Sequence, residues 1–368
     1  MRKAGAGCLL FLAALMAAAC SGGAARERSE VVVANAVFPS ALAFAPDGRL
    51  FYTELKTGDI RIVTPQGQLL AQPFAHFDVA NQGEWGLLGI ALDPDFDREP
   101  YVYVYYMEPL SPGVARPVVA RLRAEGDRGL EPAVLLGDLP ETPPPSVMHV
   151  GGHLHFGSDG YLYVSIGDFG GDYQLAGDLS SVRGKLLRVD KRDGSPPPDN
   201  PFVGRSGADP RIYAYGLRNS FDFAFQPASG RAYAADNGPD RCDELNLVLP
   251  GYDYGWPQAY SGQTCITANG VQAVYNFRRE GMQPWQAGST VAPTGLEFVT
   301  QARYADIPEG SLLACEFNTG LLRQLTFAAD GSVQGDRVLR QDCRIDIAEA
   351  PDGTIYYSNT SEIKRLLP

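Results

Sequence analysis

Histidine, tryptophan and methionine are scarce in this chain of 368 residues, which contains 4, 3 and 5 of them respectively. No Cys-x-x-Cys pair and no Cys-x-x-Cys-His occurs, so neither a structural zinc ribbon nor a covalently attached haem is supported. There is no run of basic residues to neutralise phosphates, and the formal net charge is -12, so nucleic acid is not expected as a partner. No long segment repeats apolar residues with the helical period of about 3.6 residues, which argues against a helical fold.

The N-terminus has the pattern of an export signal. Arg2 and Lys3 precede an apolar run of about a dozen residues that ends in small residues, as in a secretory signal peptide rather than a membrane-spanning helix. The stretch Ala17-Ala18-Ala19-Cys20 resembles a bacterial lipoprotein cleavage site, after which Cys20 becomes the lipidated first residue. Ordinary signal cleavage is the alternative, because leucine is the usual residue three positions before that cysteine and Ala17 stands there.

The sequence therefore predicts an exported protein that is periplasmic, or that is held at the membrane only through a lipid on Cys20. The predicted organisation is a signal peptide over residues 1–20, a tether over 21–34 and one folded domain over 35–368. Because 45% of the residues are hydrophobic and 20% are charged, that domain can bury a large core.

Four cysteines remain in the folded domain, an even number in an oxidising compartment, and we expect them to form disulfides. Four cysteines allow three pairings. Proximity along the chain favours Cys242 with Cys265 and Cys315 with Cys343, and the sequence leaves the other two pairings open.

A unit of two short strands around a turn recurs along the chain. Residues Ala41 to Thr53 read ALAFAPDGRLFYT, in which small and apolar residues alternate, a Pro-Asp-Gly turn follows, and a second apolar strand begins. Most copies are followed by a third strand. The further copies start at Gly89, His153, Asp222, Gly295 and Asp346, and third strands follow at residues 58–63, 184–190 and 319–327.

Many short strands at a long repeat period are typical of a β-propeller, in which four-stranded blades surround a central channel. Six copies predict an all-β, six-bladed propeller. A two-sheet sandwich fits less well, because it has no reason to repeat a whole three-strand unit. Since the ends of the innermost strands meet around one channel mouth, we expect functional residues directly before or after each copy.

The loop from Asn237 to Glu244 offers oxygen ligands for a hard cation such as Ca²⁺. Its backbone carbonyls at Gly238 and Pro239 stand beside several carboxylates. An acidic surface loop is the alternative interpretation, because the spacing is not that of an EF-hand. The carboxylates belong to Asp236, Asp240, Asp243 and Glu244.

Strand alternation separates three clustered histidines. Alignment on the repeat places His153 and His155 together on one strand face, so they could hold zinc if a third ligand were available. A third ligand is hard to find, because His76 and His149 are the remaining histidines. Since both faces of a propeller blade are covered by neighbouring blades, the favoured interpretation is that His153 and His155 are hydrogen-bonded packing residues. His149 lies outside the strand, and with Asp168 at the same end of the unit it could act as a general base.

Arg218 and Asn219 precede the fourth copy and place a cation beside an amide at the channel rim. Such a pair suits a bound carboxylate or a quinone oxygen. A solvated turn is the alternative for this pair taken alone.

Four motifs together resemble the soluble glucose/sorbosone dehydrogenase family. They are GxxGLLG from Gly83, H-x-G-G from His149 with a following Gly-Asp, YGLRN from Tyr215, and NGP-x3-DELN-x7-YGWP from Asn237. The resemblance runs from about Phe38 to the C-terminus. It implies a six-bladed propeller that binds pyrroloquinoline quinone (PQQ) and Ca²⁺ and oxidises aldose sugars.

The resemblance also implies roles for individual residues. His149 matches the base that takes the proton of the sugar's anomeric hydroxyl, and Asp168 matches the residue that orients it. The Gly238 and Pro239 carbonyls match ligands of the Ca²⁺ that polarises the quinone, and Glu244 with the Tyr254 carbonyl matches a second, structural Ca²⁺. Residues expected at the cofactor are Glu84, Arg218, Asn219, Asn237 and Arg344.

The chain departs from the family pattern at several of these positions. Glu84 stands where the family has a sugar-contacting glutamine, and Met148 stands where the glucose enzymes have an aspartate. Asn318 stands where a lysine is expected, and Arg344 is the single arginine where a pair is expected. Because Cys315 and Cys343 flank these last two positions, a disulfide is expected in place of part of the cationic lining.

The leading hypothesis is PQQ- and Ca²⁺-dependent oxidation of an aldose to its lactone. Electrons would pass to a separate quinone or cytochrome, because the chain has no cytochrome motif. The alternative is a non-catalytic, calcium-stabilised propeller lipoprotein that binds a glycan or a protein. A metal-dependent lactonase ranks last, because the carboxylates cluster in one loop rather than around a central cation.

Overall fold

The computed structural model describes residues 29–142, 144–257, 265 and 271–368, so the predicted signal peptide and Cys20 lie outside the described residues. The described chain consists of strands and of one short 3-10 helix, Tyr173–Ala176. Within these ranges, no helix is long and apolar enough to cross a membrane.

The strands form six four-stranded antiparallel sheets, the six predicted blades. The first described strand is β1 (Ser29–Ala34). Blade 1 contains β2 (Pro39–Phe44), β3 (Leu50–Glu54), β4 (Asp59–Val63) and β5 (Ala75–His76); blade 2 contains β6 (Leu87–Leu92), β7 (Tyr101–Ser111), β8 (Val114–Glu125) and β9 (Arg128–Leu136). Blade 3 contains β10 (Leu154–Phe156), β11 (Leu162–Ile166), β12 (Lys185–Val189) and β13 (Ile212–Tyr215); blade 4 contains β14 (Ser220–Phe225), β15 (Ala232–Asp236), β16 (Asp243–Val248) and β17 (Tyr275–Phe277). Blade 5 contains β18 (Pro293–Phe298), β19 (Leu312–Glu316), β20 (Leu321–Phe327) and β21 (Val333–Gln341); blade 6 contains β22 (Ile347–Glu349), β23 (Ile355–Ser358), β24 (Glu362–Leu366) and β1.

Each repeat copy supplies the two inner strands of one blade. In blade 1 the Pro-Asp-Gly turn joins β2 to β3, and Gly48 there has a φ of 86°, a conformation that glycine adopts without a steric penalty. The second strand of every blade is packed between neighbouring blades, which explains its continuous apolar character. Strands buried at every residue are β3, β11, β12, β15 and β19.

The first strand of the chain closes the ring. β1 pairs antiparallel with β24 and forms the outer strand of blade 6, with Glu30 opposite Arg365. An ion pair of 2.7 Å joins these two side chains. Ser29–Ala34, which the sequence assigned to the tether over 21–34, therefore forms part of blade 6.

The innermost strands contact one another in ring order, from β2 through β6, β10, β14, β18 and β22 and back to β2. Their N-terminal ends meet at one mouth of the central channel.

Both disulfides have the pairing that chain proximity favours, Cys242 with Cys265 and Cys315 with Cys343. Cys315 lies in β19 of blade 5, and Cys343 directly precedes blade 6. The second disulfide therefore joins β19 of blade 5 to the segment that connects blade 5 to blade 6.

Candidate active site

A pocket of about 420 Å³ opens at the channel mouth where the innermost strands begin. All six blades contribute to it, because its lining comes largely from segments that immediately precede repeat copies. This is where the propeller model predicted functional residues. The lining includes Phe38, Glu84, His149, Arg218, Asn219, Thr290, Ala292 and Ile345.

His149 lies at the centre of a hydrogen-bonded chain on the pocket wall. Its Nδ1 atom is 2.8 Å from Oδ1 of Asp168, and its Nε2 atom is 3.0 Å from an NH2 nitrogen of Arg218. A guanidinium can only donate, so Nε2 accepts and the ring proton sits on Nδ1, which donates to the carboxylate. These two neighbours select the tautomer in which Nε2 carries the lone pair, and Arg218 donates to that lone pair at the pocket wall.

The backbone of His149 is held in an unusual conformation. Its φ is 56°, in the left-handed region that non-glycine residues rarely occupy. The backbone N–H of His149 donates to Oε2 of Glu84 at 2.6 Å, which fixes this conformation from the neighbouring blade. Strained backbone that the surrounding structure over-determines is concentrated at functional sites.

Asp168 is fully buried and receives three hydrogen bonds. Oδ1 accepts from His149 and from the backbone N–H of Gly170, and Oδ2 accepts from the indole N–H of Trp256 at 2.8 Å. Three donors keep the carboxylate oriented against the imidazole. Sequence reasoning missed Trp256, although it stands in the YGWP motif, because nothing in the sequence shows that it reaches a residue 88 positions earlier.

Asp236 fixes the turn that presents Arg218 and Asn219. Its carboxylate accepts the backbone N–H groups of both residues, at 3.0 Å and 2.8 Å. Burial raises the pKa of Asp236 to about 6, and these two N–H donors oppose the shift. The Asn219 side chain in turn accepts the backbone N–H of Gly151 at 3.1 Å, so blades 3 and 4 are tied together at the pocket.

The predicted cation loop reaches the pocket through Asn237, Gly238 and Pro239. A NH1 nitrogen of Arg218 donates to the carbonyls of Asn237 and Gly238, at 2.7 Å and 3.0 Å. Asp243 anchors this loop to blade 5, because its carboxylate accepts from the backbone N–H groups of Gly238, Val291 and Ala292. Burial raises the pKa of Asp243 to about 6.

Glu244 is buried behind this loop and lacks a partner for one of its oxygens. Among the described residues, Oε1 of Glu244 has no hydrogen-bond partner, and burial together with the carboxylate of Asp236 raises the pKa of Glu244 to about 8. Further oxygens that have no hydrogen-bond partner within the described part of the chain lie beside it. They belong to Ser220 and Asn276, in register with Glu244 across blade 4, and to Asn246, two residues along its strand.

Tyr254 and Glu244 are not joined by any described hydrogen bond. The hydroxyl of Tyr254 donates to the carbonyl of Leu247 and accepts from the backbone N–H of Leu249. Tyr254 is buried. The shared role of Glu244 and the Tyr254 carbonyl in a second calcium site stays a prediction.

Gly151 and Gly152 are required by packing within the protein. Both have positive φ, as expected for a sharp turn. A Cβ atom on Gly151 would lie 2.6 Å from the carbonyl oxygen of Ser165, and one on Gly152 would lie 2.7 Å from Leu88. The missing side chains therefore let blades 2 and 3 meet closely beside His149.

The wall that blades 5 and 6 contribute is neutral. Among the described lining residues, Arg218 is the single guanidinium or ammonium group. The predicted cofactor contact Arg344 lies outside the lining: its side chain donates to the carbonyl of Phe317, and Ile345 takes the position toward the pocket. The contact of Arg344 with a cofactor stays a prediction. The neutral wall consists of Thr290, Ala292, Thr294, Phe317, Asn318 and Ile345.

Comparisons with known proteins agree with this architecture. The family model for glucose/sorbosone dehydrogenase matches residues 37–367. The aldose sugar dehydrogenase YliI of Escherichia coli is 29% identical over 335 residues, covering 86% of each chain. Quinoprotein glucose dehydrogenase B of Acinetobacter calcoaceticus is 33% identical over 255 residues, which are 62% of this chain and 52% of that protein.

The solved structures lead to the same family. The PQQ-bound form of an aldose sugar dehydrogenase from Streptomyces coelicolor is 26% identical, superposes with a TM-score of 0.72, and is matched over 92% of this chain and 97% of that chain. The apo-form of the soluble enzyme from Escherichia coli is 27% identical, with a TM-score of 0.79 over 92% and 98%. The chain belongs to the glucose/sorbosone dehydrogenase family.

Proposed function

We propose that the protein oxidises an aldose sugar at its anomeric carbon to the lactone, with PQQ as the cofactor and Ca²⁺ beside it. One observation carries the proposal: His149 lines the pocket with its ring proton held on Nδ1 by Asp168, so Nε2 carries a lone pair that accepts from Arg218 and that a substrate proton would take in place of this donor. That arrangement makes His149 a base for a hydroxyl group that binds in front of it.

The residues of this chain would divide the work as follows. His149 takes the hydroxyl proton on Nε2, and the carboxylate of Asp168 stabilises the imidazolium that forms. Proton uptake at Nε2 releases the Arg218 donor from that nitrogen, so the guanidinium becomes available to an anionic oxygen in the pocket. Trp256 keeps Asp168 in place through the bond to Oδ2.

The pocket fits a quinone cofactor at one end. Arg218 and Asn219 line the wall next to His149, and they supply the guanidinium and amide that suit quinone oxygens. When bound, PQQ would accept the hydride from the anomeric carbon, and Ca²⁺ would polarise its quinone oxygen. At the other end the fit is weaker, since the three carboxylates of PQQ would meet the neutral wall of blades 5 and 6.

Two features of the cation loop support the calcium part of the proposal. Gly238 and Pro239 line the pocket, and carbonyl oxygens are ligands that Ca²⁺ accepts. The Gly238 carbonyl accepts from Arg218 in this structure and would exchange that donor for the ion. Behind them, the partnerless Oε1 of Glu244 is a buried oxygen that a cation would satisfy. These residues could hold one ion at the pocket and one behind it.

The alternative function is a non-catalytic propeller that binds a glycan or a protein. The neutral wall favours it, because it removes cations that a tricarboxylate cofactor would use. The intact set of His149, Asp168 and Arg218 argues against it, since a binding module has no need for a base with a fixed tautomer.

Reconstitution distinguishes the two functions. Purified protein is loaded with PQQ and Ca²⁺, and aldose-dependent reduction of a dye is measured beside His149→Ala. We expect turnover by the wild type and a loss of about 10²–10⁴-fold in the variant. Absence of both a quinone spectral change and turnover with any aldose would leave the binding module as the better description.

Two further parts of the proposal concern the cell rather than the site. We propose that the protein is exported, either free in the periplasm or anchored through a lipid on Cys20, and that it passes electrons to a separate acceptor. Mass spectrometry of the mature N-terminus tests the anchor: a diacylated Cys20 supports it, and an unmodified N-terminus overturns it.

A further inference from the structure

A second cluster of ionisable side chains lies in the central channel, below the floor of the pocket. The first residue of each repeat copy occupies an equivalent place on the innermost strand of its blade. Three blades place a small residue there and three place a titratable one. In blade order these residues are Ala41, Gly89, His153, Asp222, Gly295 and Asp346.

Asp222 and two histidines of the neighbouring blade converge in this cluster. Oδ1 of Asp222 lies 3.1 Å from Nδ1 of His153 and 2.7 Å from Nε2 of His155. The ligand-type atoms of the three side chains all lie within 4.8 Å of one another. Sequence reasoning found the two histidines on one strand face, but it lacked the third ligand because Asp222 comes from the next blade.

His153 brings its Nδ1 atom to this cluster from a buried position. The residue is 3% exposed, and Nδ1 is the ring nitrogen that faces Asp222. A ligand atom on a tightly packed side chain is held in place before an ion binds.

We propose that His153, His155 and Asp222 form a binding site for a first-row divalent metal ion, such as Zn²⁺, in the central channel. Two imidazoles and one carboxylate are the ligand set that such ions take. With metal–ligand bonds of about 2.0–2.2 Å, ligand atoms in a tetrahedral site lie about 3.3 Å apart. The separations of Asp222 Oδ1 from His153 Nδ1 and from His155 Nε2, 3.1 Å and 2.7 Å, need to widen by less than about 1 Å to reach this value.

The ion would join blade 3 to blade 4 below the pocket, at a place separate from the calcium loop. Imidazole nitrogens distinguish the two, because Ca²⁺ takes oxygen ligands. The side chain of His155 is 32% exposed, which gives an ion a path to the site that does not pass through the buried His153.

Metal content and spectroscopy on tag-free protein test the proposal. The protein is stripped with a chelator, dialysed against Zn²⁺ or Co²⁺ in excess Ca²⁺, and measured by elemental mass spectrometry. We expect one equivalent of metal per chain, and with Co²⁺ the visible absorption of an imidazole-ligated ion. His155→Ala should lower the affinity at least about tenfold.

Two variants control for other histidines. His76 is exposed and lies beside Asp59 and Asp78, so His76→Ala reports adventitious surface binding, and it should leave the stoichiometry unchanged. His149→Ala should also keep the metal, which separates this site from the pocket. The proposal is overturned if the wild-type protein binds no metal. It is also overturned if His155→Ala retains the metal while either control loses it. Neither outcome bears on sugar oxidation.

Discussion

Nδ1 of His149 and Oδ1 of Asp168 lie 2.8 Å apart, and this contact decides which ring nitrogen faces the pocket. With a carboxylate as the partner, the proton must sit on Nδ1. The donor from Arg218 at Nε2 demands the same tautomer. Asp168 and Arg218 therefore fix the tautomer of His149, one at each ring nitrogen.

Asp168→Asn should abolish the base without removing the imidazole. An asparagine amide can donate to Nδ1, which moves the ring proton to Nε2 and leaves no lone pair toward the pocket. We expect kcat for aldose-dependent dye reduction to fall by about 10²–10⁴-fold. Trp256→Phe is the matched control, because it removes one hydrogen bond to Asp168 and keeps the carboxylate; its loss should be smaller. Full activity of Asp168→Asn would refute the assigned tautomer.

Asn318→Lys should strengthen the binding of PQQ. Asn318 lines the neutral wall, and an ammonium there would meet a carboxylate of the cofactor. A hydrogen bond to a charged group contributes about 1.5–3 kcal/mol, so the dissociation constant should fall by about tenfold or more. Asn318→Met matches the length of lysine without the charge. Equal affinities for the Lys and Met variants in a PQQ titration would show that the cofactor carboxylates do not meet this wall.

The blades were predictable because their signals are local. A strand, a Pro-Asp-Gly turn and a second strand lie within about fifteen residues, and this unit recurs six times. The closing strand β1 carries no such signal. Its partner, β24, lies at the other end of the chain, and Ser29–Ala34 is a short apolar stretch without a turn. A pairing of that kind depends on the ring being closed.

The same distinction explains the site. Motifs placed His149, Asp168, Arg218 and Asn219 correctly at one channel mouth. They did not show that the Arg344 side chain donates to the carbonyl of Phe317, 27 residues earlier, while its neighbour Ile345 lines the pocket. Contacts between blades, such as that of Trp256 with Asp168, become visible only once the blades are arranged in space.

Removing the Cys315–Cys343 disulfide should lower the free energy of unfolding. The bond closes a loop of 28 residues, for which the chain-entropy relation gives about 3.5 kcal/mol. We expect Cys315→Ser with Cys343→Ser to show this loss in urea titrations, with an m-value close to that of the wild type. Cys315→Ala with Cys343→Ala controls for the buried hydroxyls. Unchanged stability in both variants would mean that the thiols are not bonded in solution.

Calcium should stabilise the fold through Glu244. A cation at Oε1 of Glu244 would satisfy an oxygen that is buried without a partner, so the folded state alone would bind it. At a Ca²⁺ concentration about 100 times the dissociation constant, the linked stabilisation is about 2.7 kcal/mol. We expect Tm to rise on adding Ca²⁺ to chelator-treated protein and Glu244→Gln to remove most of that rise. Asp240→Asn is the matched control, because Asp240 belongs to the same loop but pairs with Arg241 at the surface. If Asp240→Asn removed the calcium response and Glu244→Gln kept it, the ion would be bound at the surface of the loop and not behind it.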